Sequence, residues 1–147
     1  MAKVKRKFNL LKVMVVSAAH LIHDTFTAFL APVVPLIIEK FGLSYFQVSL
    51  LNIVKRLPSL FSLGLGSLIN KINKKYLRYL LVVTPFITSL LMSLIGVIPS
   101  YIGLLLMLFI MGTSSAVFHI SAPPIIKEIS GSQVGRGISF YQLGGEA

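Results

Sequence analysis

From Tyr79 to Ile126 the chain carries no Asp, Glu, Lys or Arg. A helix needs only about 20 consecutive apolar residues to cross a bilayer. Pro99 and Ser100 fall inside the run, so it reads as two membrane spans joined by a tight turn. The rest of the chain agrees. Of its 147 residues 55% are hydrophobic and 12% charged, with a mean hydropathy of +0.86. That leaves too little polar surface for a soluble domain. The expected class is an all-α membrane protein.

Five helical segments follow from the apolar runs. They cover about 11–38, 44–69, 77–98 and 101–126, with a fifth segment over 137–147. The last is only the start of a span. Pro32 and Pro35 are expected to kink the first segment, and neighbouring helices re-satisfy the carbonyls that a proline frees. Gly42 supplies a stop between the first two. The basic N-terminus superficially resembles a signal peptide. Its apolar run is too long for one, and no small-residue cleavage site follows a short core, so it reads as a retained first helix.

The net charge is +10, and there is no Cys. Disulfides, thiolate chemistry and zinc–thiolate sites are therefore excluded. Nucleic-acid binding is the weaker reading of the charge, because the basic residues flank apolar spans. Lys3, Lys5, Arg6, Lys7 and Lys12 precede or open the first span. Lys71, Lys74, Lys75 and Arg78 lie between the second and third, and Lys127 and Arg136 follow the fourth. All three regions fall on one side, and only Lys40 falls on the other. By the positive-inside rule that side is cytoplasmic, N-terminus included. A cell-membrane, multi-pass location follows.

Charges within a span each cost about 2.5–3.5 kcal/mol on insertion scales, so they face the bundle interior or a water-filled cavity. Asp24, Lys55, Arg56 and Glu146 are such charges. At about 1.5 Å per residue, Asp24 and Lys55 both reach the middle of the bilayer. Asp24 is therefore expected to pair with Lys55 or Arg56. His20 lies four residues before Asp24 on the same helix face. His119 and Glu146 fall at similar depth, which implies a polar layer in the inner half of the membrane. His23 falls on another face and reads as a packing or interfacial residue. The set His20, His23, Asp24 and His119 also admits a metal reading. It is set aside, because this spacing is common by chance and imidazoles in transporters more often carry protons. No cofactor is expected. Soluble enzyme chemistry is disfavoured too, since no nucleophile elbow or phosphate loop is present.

The segment Gly66-Ser-Leu-Ile-Asn70-Lys71-Ile-Asn73-Lys74-Lys75 resembles a signature of the major facilitator superfamily. In that signature an Asp stands where Asn70 is, and a Gly where Asn73 is. The His20-Leu-Ile-His23-Asp24 stretch, Pro32, Pro35 and Phe41-Gly-Leu-Ser44 resemble the fosmidomycin-resistance branch. So do Ser115-Ala-Val-Phe-His119 and Ser139-Phe-Tyr-Gln142-Leu-Gly-Gly145. The resemblance implies a twelve-helix transporter with a central cavity between two six-helix halves. It places His20, Asp24 and His119 toward that cavity, with Gln142 and Glu146 nearby. Gly66, Asn70, Lys71, Lys74 and Lys75 would form the cytoplasmic gate, although Asn70 cannot make the ion pair of the usual Asp.

The expected function is transmembrane transport, as the N-terminal part of a proton-coupled exporter of small molecules or drugs. Its partners would be the lipid bilayer, a small-molecule substrate, and a missing C-terminal half or separately encoded partner. Four spans and a partial fifth cannot build the cavity, so the chain is expected to be inactive alone. The alternatives are a small dimeric four-helix multidrug exporter and a membrane assembly or regulatory subunit. Exporters that insert in both orientations need a weak Lys/Arg bias, which this chain does not have.

Overall fold

Pro32 sets the first break in the fold. It has no N–H to offer the carbonyl of Ala28, and its ring crowds that oxygen. The first predicted segment accordingly divides at Phe29 into α1 (Leu10–Ala28) and α2 (Leu30–Phe41). The structure is a computed structural model that describes residues 7–69 and 71–146, without the side chains of Leu63 and Glu146. Asn70 therefore lies outside the described residues.

α2 ends at Gly42, whose φ of 63° and ψ of 42° place it in the left-handed region. Only glycine adopts that conformation at no steric cost. Ser44 then opens α3 (Tyr45–Leu60) in a capping box with Gln47, each side chain accepting from the other's backbone N–H. The second predicted segment is not one helix. The Phe61 N–H turns back to the carbonyls of Pro58 and Ser59, and α4 (Ser62–Ile69) begins beyond it.

α5 (Lys74–Ser93) starts ahead of the predicted Leu77 because Asn73 caps it, its side chain accepting from the Lys75 N–H at 2.9 Å. A 3₁₀ turn covers Ile95–Val97. α6 (Tyr101–Ser130) runs through Pro123 and Pro124, past the predicted end at Ile126. It stops at Gly131, whose φ is 56°. α7 (Val134–Glu146) begins before the predicted Gly137.

Three helical stretches among the described residues are long and apolar enough to cross a membrane. They are Leu10–Phe41, Lys74–Ser93 and Tyr101–Ser130. The break at Phe61 leaves α3 and α4 individually short of that length.

α6 is apolar all round, the pattern of a buried helix or a membrane span, and leaves a face with Ile102, Leu106 and Ile110 exposed. It packs against α3, α4, α5, α7 and α1, and α1 packs against α5 and α7. Two apolar cores result. One gathers Leu30, Leu51, Met92, Leu104, Leu108 and Met111. The other gathers Leu77, Leu81, Phe118, Ile125, Ile126 and Tyr141. Between them, along the helices, lies a polar layer. The Thr88 hydroxyl donates to Ser114 (3.3 Å), and Ser114 donates to the Thr84 carbonyl (2.9 Å).

Long-range contacts define the two ends of the bundle. At one end the Asn9 N–H donates to Ile129 O (3.0 Å), Arg78 meets Glu128 (3.1 Å), and Arg136 lies over Phe8. Among the described residues, Lys7 beside Phe8, Arg78 and Arg136 are thus gathered there, while Lys3, Lys5 and Arg6 lie outside the described residues. At the other end Lys40 Nζ donates to the carbonyls of Gly96 (2.7 Å) and Ile98 (2.8 Å). The isolated Lys40 thereby satisfies oxygens that the 3₁₀ turn leaves free.

The crossing of α3 and α6 depends on Gly112, where an added Cβ would overlap the Lys55 carbonyl oxygen. Gly112→Val is expected to lower stability by about 1–3 kcal/mol through overpacking. Thermal unfolding of the detergent-solubilised chain would measure it. An unchanged midpoint would rule out so close a crossing.

Candidate functional site

One turn of helix separates residues i and i+4, so His20 and Asp24 share the face of α1 that meets α6 and α7. His20 Nε2 lies 3.0 Å from Asp24 Oδ2. From α6, His119 Nε2 approaches the other carboxylate oxygen at 3.4 Å. α7 contributes Tyr141, whose ring stacks on His20 with centroids 4.1 Å apart and planes 10° from parallel. Its backbone carbonyl accepts from His20 Nδ1 at 2.8 Å.

These contacts fix the proton inventory. A neutral imidazole has one N–H. A carbonyl oxygen has no proton to give, so Nδ1 of His20 carries the N–H. Its Nε2 would then turn a lone pair toward a carboxylate oxygen 3.0 Å away. Two acceptors do not hold that distance unless a positive centre lies between them. The arrangement therefore accommodates one cation, which a proton satisfies as imidazolium and carboxylate or as imidazole and carboxylic acid.

His23 is fully buried and stacks on Phe118 with centroids 4.4 Å apart. Its Nε2 lies 3.1 Å from Ser115 Oγ. Packing is the part of the sequence reading that fits it, and the interfacial alternative does not. Phe118, also fully buried, sits between His20 and His23. Close helix approach builds this layer. A Cβ on Gly144 would overlap the Ser17 carbonyl oxygen, and one on Gly145 would overlap the His20 ring.

The pairing expected for Asp24 is corrected. Its carboxylate meets His20 and His119, whereas Lys55 Nζ donates to the Thr27 carbonyl at 2.9 Å. Depth alone placed Asp24 and Lys55 together. The carbonyl of Thr27, almost one turn further along α1, takes the ammonium instead. Two open cavities flank the site. One, of about 680 Å³, is lined by Asp24, Thr25, Thr27, Pro32, His119 and Gly144 among others. The second, of about 260 Å³, has Lys55, Arg56, Ser59, Ser115 and His119 in its wall.

Gln142 is exposed, apart from this cluster, and the Glu146 side chain lies outside the described residues. At the basic end of the bundle Lys71 and Lys75 are exposed, and Lys74 Nζ lies 3.8 Å from Glu128 Oε2. A Cβ on Gly66 would make only ordinary contact with Ile120. Sequence reasoning passed over Glu128 and Arg78 as the pair joining α5 to α6. Fifty positions separate them, and no local pattern links them. It also passed over the Tyr141 carbonyl, since a backbone acceptor has no signature in side-chain identity.

Comparison with known proteins adds two findings. A sequence profile of the Major Facilitator Superfamily matches residues 16–147. Over 144 residues the chain is 26% identical to the fosmidomycin resistance protein of Escherichia coli (strain K12), covering 97% of this chain and 34% of that protein. The chain thus spans about a third of the length of the relative it matches. No solved structure matches the chain.

Proposed function

The chain belongs to the major facilitator superfamily of membrane transporters, and from that premise we propose that it is the N-terminal part of a proton-coupled exporter of small molecules. The observation that carries the coupling is the His20–Asp24 contact, whose donors and acceptors leave room for one proton beside an open cavity. An inward-moving proton and an outward-moving substrate would use that cavity in alternation. His119 adds a second imidazole on the cavity wall.

Lys55 and Arg56 place positive charge on the second cavity, where Arg56 has no acidic partner within 4.0 Å among the described residues. They balance Asp24 from the neighbouring cavity rather than by contact, and offer a wall for the substrate. The basic end of the bundle is the cytoplasmic end, with the N-terminus inside. α3 and α4 together make one crossing, so the chain crosses four times and α7 begins a fifth passage. Gly66, Asn70, Lys71, Lys74 and Lys75 belong to the gate at the basic end, where the Arg78–Glu128 contact ties α5 to α6.

The remaining helices of the transporter complete the cavity. That the matched relative is about three times longer supports this part of the reading. A susceptibility panel in an efflux-deficient host tests it, with the chain expressed alone and together with helices that complete the family fold. Resistance is expected only in the second case, and a protonophore is expected to abolish it. Resistance from the chain alone would overturn the dependence on further helices. Protonophore-insensitive resistance would overturn proton coupling.

A further inference from the structure

The lone pair of His20 Nε2 that faces Asp24 needs a cation, and a proton is not the only one that fits. His20, Asp24 and His119 each offer one ligand atom, and these atoms lie within 4.8 Å of one another. The two imidazole–carboxylate separations, 3.0 Å from His20 to Oδ2 and 3.4 Å from His119 to Oδ1, are each the size of a ligand–ligand edge around a metal with bonds of about 2.0–2.2 Å, one carboxylate oxygen facing each imidazole. The His119 side chain is 43% exposed, which leaves it room to turn toward His20.

Three further features belong to a metal site. His20 donates its other ring nitrogen to the Tyr141 carbonyl, the usual outer-shell arrangement that orients a metal-bound imidazole. Asp24 and His119 both border the 680 Å³ cavity, which leaves a fourth coordination position open to water or a substrate donor atom. The donor set of two imidazoles and a carboxylate favours zinc-like first-row ions over calcium or magnesium, which demand oxygen.

We propose that His20, Asp24 and His119 bind one divalent transition metal ion, in the position otherwise taken by the proton. Lys55 and Arg56 line the adjoining cavity from α3 and oppose a second cation, so the stoichiometry is one. This inference shares the site of the proposed coupling proton but not its experiment.

The test is calorimetric titration of Zn²⁺ into the full chain in detergent micelles, with Co²⁺ absorption as a report on coordination. One equivalent is expected to bind. Loss of an outer-shell partner weakens metal sites by about 10–100-fold, and His119→Ala or Asp24→Asn, which remove ligands, are expected to cost at least that. Glu39→Gln, on α2 near Gly42, is expected to leave binding unchanged. Circular dichroism establishes that each variant is folded, and if Asp24→Asn is not, the exposed His119→Ala decides. Absence of binding to the wild-type chain, or binding that survives His119→Ala, overturns the metal site. Either result leaves proton coupling untouched, because coupling is read from protonophore-sensitive resistance.

Discussion

Asp24→Asn is expected to abolish proton-coupled export by the completed transporter. Asn still fills the space between His20 and His119. It also accepts a hydrogen bond, but it carries no charge and takes up no proton. The imidazole of His20 keeps its N–H on Nδ1 for the Tyr141 carbonyl, and its Nε2 then accepts from the Asn amide. The cation requirement vanishes. Removing a positioned proton-transfer group typically lowers rates by about 10²–10⁴-fold, and a loss in that range is expected for export under a pH gradient. In the isolated chain the same variant is expected to show a single His20 ring N–H by nitrogen-15 NMR across the neutral range. Export retained at more than a tenth of the wild-type rate, an order-of-magnitude threshold on the same scale, would remove Asp24 from the coupling step.

Gly144→Val is expected to disturb both the packing of α7 and the site. A Cβ there meets the backbone of Ser17, which cannot swing aside as a side chain does. α7 must therefore move away from α1. Overpacking of this kind costs about 1–3 kcal/mol, and small residues at membrane helix crossings exist to avoid it. The displacement would also pull the Tyr141 carbonyl from His20 Nδ1, so one substitution disturbs packing and site together. Thermal unfolding in detergent measures the first effect and the His20 ring signals the second. Gly135→Ala, where an added Cβ meets nothing within 4 Å, is the matched control and is expected to be neutral. Equal behaviour of the two variants would show that α1 and α7 do not cross closely.

Within each helix the sequence was an accurate guide, for a local reason. The break ahead of Pro32, the stop at Gly42 and the shared face of His20 and Asp24 each depend on residues a few positions apart. Boundaries erred where a cap decided them. Asn73, noted only as departing from a signature Gly, turned out to cap α5. α6 carries Pro123 and Pro124 within it, beside the buried Ala122, Ile125 and Ile126, and continues past the predicted Ile126 to Ser130.

The sequence by itself determined the class of this protein: helices too apolar for water, basic residues clustered at the ends of certain spans, and costly charges inside them. It also put His20, Asp24 and His119 at similar heights, because depth along a helix follows from counting residues at a fixed rise. Tertiary structure alone decided the partners at those heights. Residue counting gives the height of Asp24 but not the rotation of α3 or α6 about its axis. That rotation is set by side-chain packing at crossings such as Gly112 against Lys55 and Gly144 against Ser17. It turned Lys55 to the Thr27 carbonyl and brought His119 to Asp24. The uncharged run from Tyr79 to Ile126 thus announced a membrane protein, and the packing of its helix α6 supplied the second histidine of the site.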